Sequence, residues 1–215
     1  PPFFFQAYAG IRDPLWSRGL GDVYKRQAIG GTALRANTTG ANNTSVGYTS
    51  LLANTTGSYN SAFGEGALYS NTTAENNTAV GRIALYANTT GASNVGIGYD
   101  SLGDNTTASY NTAVGDSAGL QVTTGVQNTL IGGQAGDALT VGGSNVAVGK
   151  GALNVQNFTT ATTSFNVAVG YNTLGADTLG SRSVAIGYTA LANQNFTTAT
   201  NAYNVCIGYE AVSYT

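Results

Sequence analysis

A glycine returns along this chain at a fixed step. Gly30, Gly47, Gly64, Gly81, Gly98, Gly115, Gly132, Gly149, Gly170, Gly187 and Gly208 stand 17 residues apart, except for Gly149 to Gly170 and Gly187 to Gly208, which are 21 apart. A unit this short cannot enclose a core of its own, so the eleven copies must stack as coils that bury their apolar sides against one another. The repeat predicts an all-β chain, a parallel β-solenoid of 17-residue coils over residues 28–215.

We number the unit from the residue four places before the glycine; Asn77 to Ser93, NTAVGRIALYANTTGAS, is a complete copy. Position 1 is Asn in nine of the eleven copies, the exceptions being Arg26 and Ser183. Position 4 is always large and apolar, as at Val80, and position 9 is Leu in eight copies, as at Leu85, with Gly119 and Gly136 as gaps. Positions 1 to 4 read as a short strand with its β-branched residues pointing inward. The glycine ends it where a positive φ or a close backbone approach is needed. Positions 7 to 10 read as a second strand, and the NTTG at positions 12 to 15 as a turn in which Asn and Gly take left-handed conformations. A helix is disfavoured, because Gly, Asn and Thr are poor formers and no window keeps apolar residues at helical spacing. Stacked in register, each Asn lies over the next and buried amides can satisfy one another. The residues expected to carry the structure are Gly47, Gly64, Gly81, Gly98, Gly115, Asn77, Val80 and Leu85.

Such a coil has little to hold it. Two large apolar side chains, at ~1.5–3 kcal/mol each when buried, oppose the ordering of 17 residues at ~1–2 kcal/mol apiece. A core this thin predicts that part of the apolar stripe meets another copy, in a closed homo-oligomer; the alternative is a monomeric solenoid whose Ala and other small residues allow very close sheet packing.

The surface is unusual as well. Charged residues make up 8% of the chain, about a third of the usual ~25%, so Asn, Thr, Ser and Gly must cover it. Outside residues 1–27 there are 4 basic and 8 acidic residues, which gives no basic footprint for nucleic acid. Cys206 is the only cysteine and rules out an internal disulfide framework. No apolar run approaches the length of a membrane span, so insertion into a membrane is not expected. There is no Met anywhere; the chain reads as a piece of a longer reading frame, and a missing leader carries no weight about export.

Residues 1–27 share no period with the rest and hold all three Pro and the only Trp. The run GIRDPLWSRGLGDVYKRQ within them resembles translated library-adapter sequence from environmental sequencing reads, which implies an artefact rather than a domain. A genuine capping segment over the first coil is the alternative.

The repeat itself also has a likeness. NNTAVGRIALYANTTG (Asn76 to Gly91) and SVAIGYTAL (Ser183 to Leu191) resemble the head repeats of trimeric autotransporter adhesins and the repeat regions of phage tail-fibre-like and bacterial surface proteins. That resemblance implies a left-handed parallel β-roll in which three chains associate, on a bacterial cell surface or a virion. The 17-residue period is longer than that of the adhesin heads.

Chemistry is sparsely represented. The chain has no His, which removes His-dependent triads, imidazole metal ligands and a His general base. Asp100 and Asp104 read as a solvated pair, since Ca²⁺ wants six or more oxygens. A glycosidase-like pair from neighbouring coils, such as Asp100 with Asp116, lacks any feature that would raise a pKa. Gly132, Gly133 and Gly136 lack the Lys of a phosphate loop. No catalytic residue, cofactor or metal is expected, and the chain is read as a non-enzyme. The Asn-x-Ser/Thr sequons at Asn37, Asn54, Asn71, Asn88 and Asn105 fall out of the NTTG turn and are turn residues first.

Two features stand out as binding candidates. The 21-residue coils carry insertions, NFTTATTSFN from Asn157 and NFTTATNAYN from Asn195, on the same edge of alternate coils. Phe158, Thr159, Thr160, Phe165, Phe196, Thr197, Thr198 and Tyr203 are the candidate surface-binding residues there, because loops on a rigid scaffold often carry recognition. Tyr48, Tyr99, Tyr171, Tyr188 and Tyr209, all at position 6, are aromatic faces that could stack on glycans. The function expected is a structural and adhesive module of a trimeric extracellular fibre, phage tail fibre or surface adhesin, with itself and a surface glycan or protein receptor as partners. The alternative is an ice-binding solenoid, since Thr38, Thr55, Thr72, Thr89, Thr106 and Thr123 form a row that breaks at Val141.

Overall fold

The structure, a computed structural model, describes residues 26–156, 158, 162–196 and 198–212. No helix occurs among them. Eleven short strands form one parallel sheet: β1 (Arg26–Ile29), β2 (Asn43–Val46), β3 (Ser61–Phe63), β4 (Thr78–Val80), β5 (Val95–Ile97), β6 (Thr112–Val114), β7 (Thr129–Ile131), β9 (Val146–Val148), β11 (Val167–Val169), β13 (Val184–Ile186) and β15 (Val205–Ile207). Two-residue strands at the insertions make two further parallel pairs, β8 (Gly142–Gly143) with β10 (Thr162–Thr163) and β12 (Gly180–Ser181) with β14 (Thr200–Asn201). Neighbours in the large sheet are in register at the repeat, with Ala79 opposite Gly96 and Gly96 opposite Ala113. The chain is a parallel β-solenoid, one coil per repeat. Its first strand already includes Arg26 and Gln27, paired with Asn43 and Thr44, so the repeat begins inside the segment that sequence set aside.

The parity of the strand is the main correction to the sequence reading. Val80 and its equivalents do not point inward. Side chains along a strand alternate between faces, and the buried residue at position 1 fixes which set goes in. Asn77 is fully buried, with Nδ2 donating to Gly91 O at 2.9 Å and Oδ1 accepting from Asn94 N at 2.9 Å. Position 3 must then face inward, where Ala79, Ala113, Ala147 and Ala168 are sealed. Positions 2 and 4 face out. Ile97 and Ile186 are each 37% exposed.

The second predicted strand is absent. Positions 7 and 9 are both left-handed, with φ of 53° at Ile83 and 52° at Leu85, and position 17 repeats this at Asn76 with φ 61°. Two left-handed residues so close together curl the chain and end any strand. A left-handed Leu costs roughly 1–2 kcal/mol, whereas burying its side chain gains about 1.5–3 kcal/mol. Leu85, fully buried, is held by that difference. Coil-to-coil bonding continues through the curl, from Leu85 N to Ser101 O at 2.9 Å and from Ala87 N to Gly103 O at 2.9 Å.

The NTTG segment also works differently from the expected turn. Its Asn and Gly are not left-handed. Successive donors converge on one carbonyl of the next coil instead: Thr55 N (2.8 Å), Thr56 N (3.3 Å), Gly57 N (3.4 Å) and Thr55 Oγ1 (3.1 Å) all reach Thr72 O. The Asn of each NTTG points inward, and its Nδ2 donates to Oδ1 of the equivalent Asn one coil earlier, from Asn71 to Asn54 Oδ1 at 2.8 Å and from Asn88 to Asn71 Oδ1 at 3.0 Å. Two amide ladders thus run the interior beside the Leu and Ala rows.

At the position 5 glycine two demands coincide. Gly81 has φ +136°, and a Cβ there would stand 2.2 Å from Gly98 O. The gaps at Gly119 and Gly136 are filled from elsewhere. Leu130, at a position that is elsewhere small, lies where either glycine's Cβ would reach it, at 2.7 and 2.8 Å, and Val122 and Leu139 replace the ladder Asn of those two coils.

Candidate functional site

Three surface features are built by these rules. The first is the outward row of position 4, which runs the length of the large sheet as Ile29, Val46, Phe63, Val80, Ile97, Val114, Ile131, Val148, Val169, Ile186 and Ile207. Valines at position 2 join it at Val95, Val146, Val167, Val184 and Val205. All of these are half-buried or exposed. A continuous apolar stripe this long is what an interaction face looks like, whereas scattered single hydrophobics are ordinary.

The second feature is the edge carrying the insertions. Thr159, Thr160 and Thr197 lie outside the described residues. Phe158 is not a surface residue: it is buried and approaches Gly142, whose Cβ would stand 3.3 Å from its ring. Phe196 is half-buried and Thr198 exposed. Phe165 and Tyr203 are exposed, and both are the left-handed last residue of a 21-residue coil, the place that position 17 holds in the shorter coils. Between them stands Arg182, which sequence reasoning passed over, its guanidinium 5.2 Å from the Phe165 ring and 5.8 Å from the Tyr203 ring. Its Nε donates to Asn201 Oδ1 at 2.9 Å. The shared place in the repeat was the signal that could have found it.

The third is a groove on the curl between positions 6 and 11, of about 460 Å³. It is lined at position 6 by Glu65 and Arg82, at position 7 by Thr49, Gly66, Ile83 and Asp100, at position 10 by Tyr69, Tyr86 and Gly103, and at position 11 by Ala87 and Asp104. The tyrosine rings stack at 4.8 Å, and Arg82 Nε lies 3.7 Å from Glu65 Oε2. Asp100 has its pKa raised, first by burial and then by repulsion from Asp104 and Asp116, against a lowering by Arg82. The position 6 tyrosines Tyr171, Tyr188 and Tyr209 also stack, at 5.2 and 5.1 Å.

The Thr row does not break at Val141. Thr140 continues it, its hydroxyl donating to Phe158 O at 3.1 Å, as Thr123 donates to Thr140 O at 3.2 Å. The hydroxyls of this row are therefore engaged with backbone, and the neighbouring row of Thr39, Thr56, Thr73, Thr90, Thr107 and Thr124 is the exposed one. The sequon amides at Asn54, Asn71, Asn88 and Asn105 are fully buried and hydrogen-bonded, so the folded chain does not present them to a glycosyl donor. Among the described residues no three His, Cys, Asp or Glu side chains converge as a metal site, and no helix is long and apolar enough to cross a membrane.

No protein-family model, no curated protein and no solved structure matches this chain.

Proposed function

We propose that the chain is a structural and adhesive module of an extracellular fibre, carried by a phage tail or a bacterial surface, in which three copies associate through their large sheets. The observation that carries this reading is the outward Val and Ile row. Side chains that would stabilise the solenoid if buried are spent on its outside, on one continuous face, while the interior is filled by Ala, Leu and Asn. Association of copies removes that row from water, at roughly 25 cal/mol per Å² of apolar surface, and supplies the stabilisation that the thin coil lacks. The number three comes from the resemblance of the S/N-V-A-I-G core, as at Ser183 to Gly187, to the adhesin heads. The role of the assembly is rigidity: eleven strands at ~4.8 Å each hold surface features along roughly 50 Å, with the insertion edge at Phe165, Arg182 and Tyr203 displayed near one end.

The test is to place a charge in the stripe. Ile97→Asp leaves the inner face untouched, so sedimentation velocity should show a smaller species that retains its β-sheet circular dichroism. A variant that sediments like the parent chain removes the association face. The regular exposed Thr row favours a second reading, ice binding, which a thermal-hysteresis measurement on the same protein would detect.

A further inference from the structure

We propose that the groove beside the Tyr69–Tyr86 stack is a binding site for a neutral oligosaccharide. This deepens the attachment reading and places recognition away from the insertions. The groove exists because the repeat departs from its own pattern here. Position 10 is Tyr only at Tyr69 and Tyr86, and the next coil carries Gly103 there, so no third ring extends the stack and the Asp100 carboxylate, with Leu120, reaches to where a Cβ on Gly103 would stand. Gly66 leaves the Tyr86 ring uncrowded, since a Cβ there would stand 3.3 Å from Ile83 Cγ2 and 3.4 Å from that ring.

The chemistry of the walls selects the ligand. An aromatic surface packs against the C–H face of a sugar ring, and ionised carboxylates accept hydrogen bonds from hydroxyls. Glu65, Asp100 and Asp104 offer acceptors along the groove, and Arg82 offers donors. One cation against three anions leaves a formal charge of −2 among groove residues, which disfavours sialylated or sulfated chains. From the Thr49 coil to the Asp100 coil is three steps of ~4.8 Å, or about 14 Å, so the groove suits a chain of sugars rather than a single one. Burial and mutual repulsion already disfavour the charge on Asp100, and hydroxyl donors from a bound sugar would relieve that.

The experiment is an immobilised array of neutral, sialylated and sulfated oligosaccharides, probed with the full chain and with Tyr86→Ala, Asp100→Asn and, at an exposed tyrosine outside the groove, Tyr110→Ala. The expected result is retention on at least one neutral glycan, weakened tenfold or more by Tyr86→Ala and by Asp100→Asn and unchanged by Tyr110→Ala. Sedimentation of each variant checks that the assembly persists, and the isosteric Asp100→Asn decides the matter should Tyr86→Ala disturb packing. Retention on acidic glycans alone, no retention, or equal binding by Asp100→Asn would overturn the inference. A chain that associates but holds no neutral glycan overturns this site and leaves the fibre reading standing; a monomer that binds does the reverse.

Discussion

Asp177 shows how much a single atom matters in a core built of amide ladders. It stands where lower coils carry Asn, it is fully buried, and it accepts hydrogen bonds from Gly180 N at 2.8 Å and from Gln194 Nε2 at 2.9 Å. An Asn there would also donate to the coil before it. An ionised Asp cannot, and Gln156 Oε1 one coil earlier is buried with no hydrogen-bond partner among the described residues. Burial raises the Asp177 pKa, while the bonds from Gln194, Gly180 and Leu179 hold it back. A carboxyl whose folded pKa is raised binds its proton more tightly in the native state, so its contribution is fullest below the unfolded value of ~3.9 and falls as pH rises through the folded value. Asp177→Asn should therefore raise Tm at pH 7 and flatten Tm against pH over that interval; a variant less stable than the parent at pH 7 would contradict the ladder argument. The Leu130 exchange makes a second prediction. Gly119→Leu alone should destabilise by about 1–3 kcal/mol through overpacking, and Leu130→Ala alone by about 2–5 kcal/mol through a cavity. The double variant should recover at least ~1 kcal/mol relative to their sum, read by urea unfolding.

At the level of the coil, the glycine period and the Leu row could be read directly from sequence, and so could the stacking of Asn on Asn. The facing of the strand could not be read by equating apolar with buried. Val80 is the more hydrophobic residue, but Asn77 decides the parity, because its amide finds partners only inside. The left-handed Ile83 and Leu85 left no trace that propensity could detect, since neither residue favours that conformation and only the closed coil enforces it. The two phenylalanines of the first insertion were equally indistinct: Phe158 folds in and Phe165 stays out because the left-handed last place of the coil fixes the second and nothing in the local sequence fixes the first. The coil account predicts that Asn77→Ala costs more than Val80→Ala. The first leaves the buried Asn94 N unpaired, at about 1–3 kcal/mol, and takes one of two donors from Gly91 O, which keeps Asn88 Nδ2, whereas the second removes a half-exposed side chain. Denaturant midpoints of the two variants check the order.

Across the whole molecule, one rule of alternation gives both the interior and the surface. The same three-residue strands that seal Ala79 and Ala113 present Val80 and Val114 on a face with no partner among the described residues, and the irregular coils from Glu65 to Asp104 carry the groove on an adjoining side. Whether that face is covered in solution decides between a fibre segment and a lone solenoid. Small-angle X-ray scattering from the full chain measures mass, length and cross-section together. A rod roughly 50 Å long with three times the 21.8 kDa chain mass is the predicted result, and a single-chain mass at all concentrations, with the Val and Ile row left in water, would contradict it.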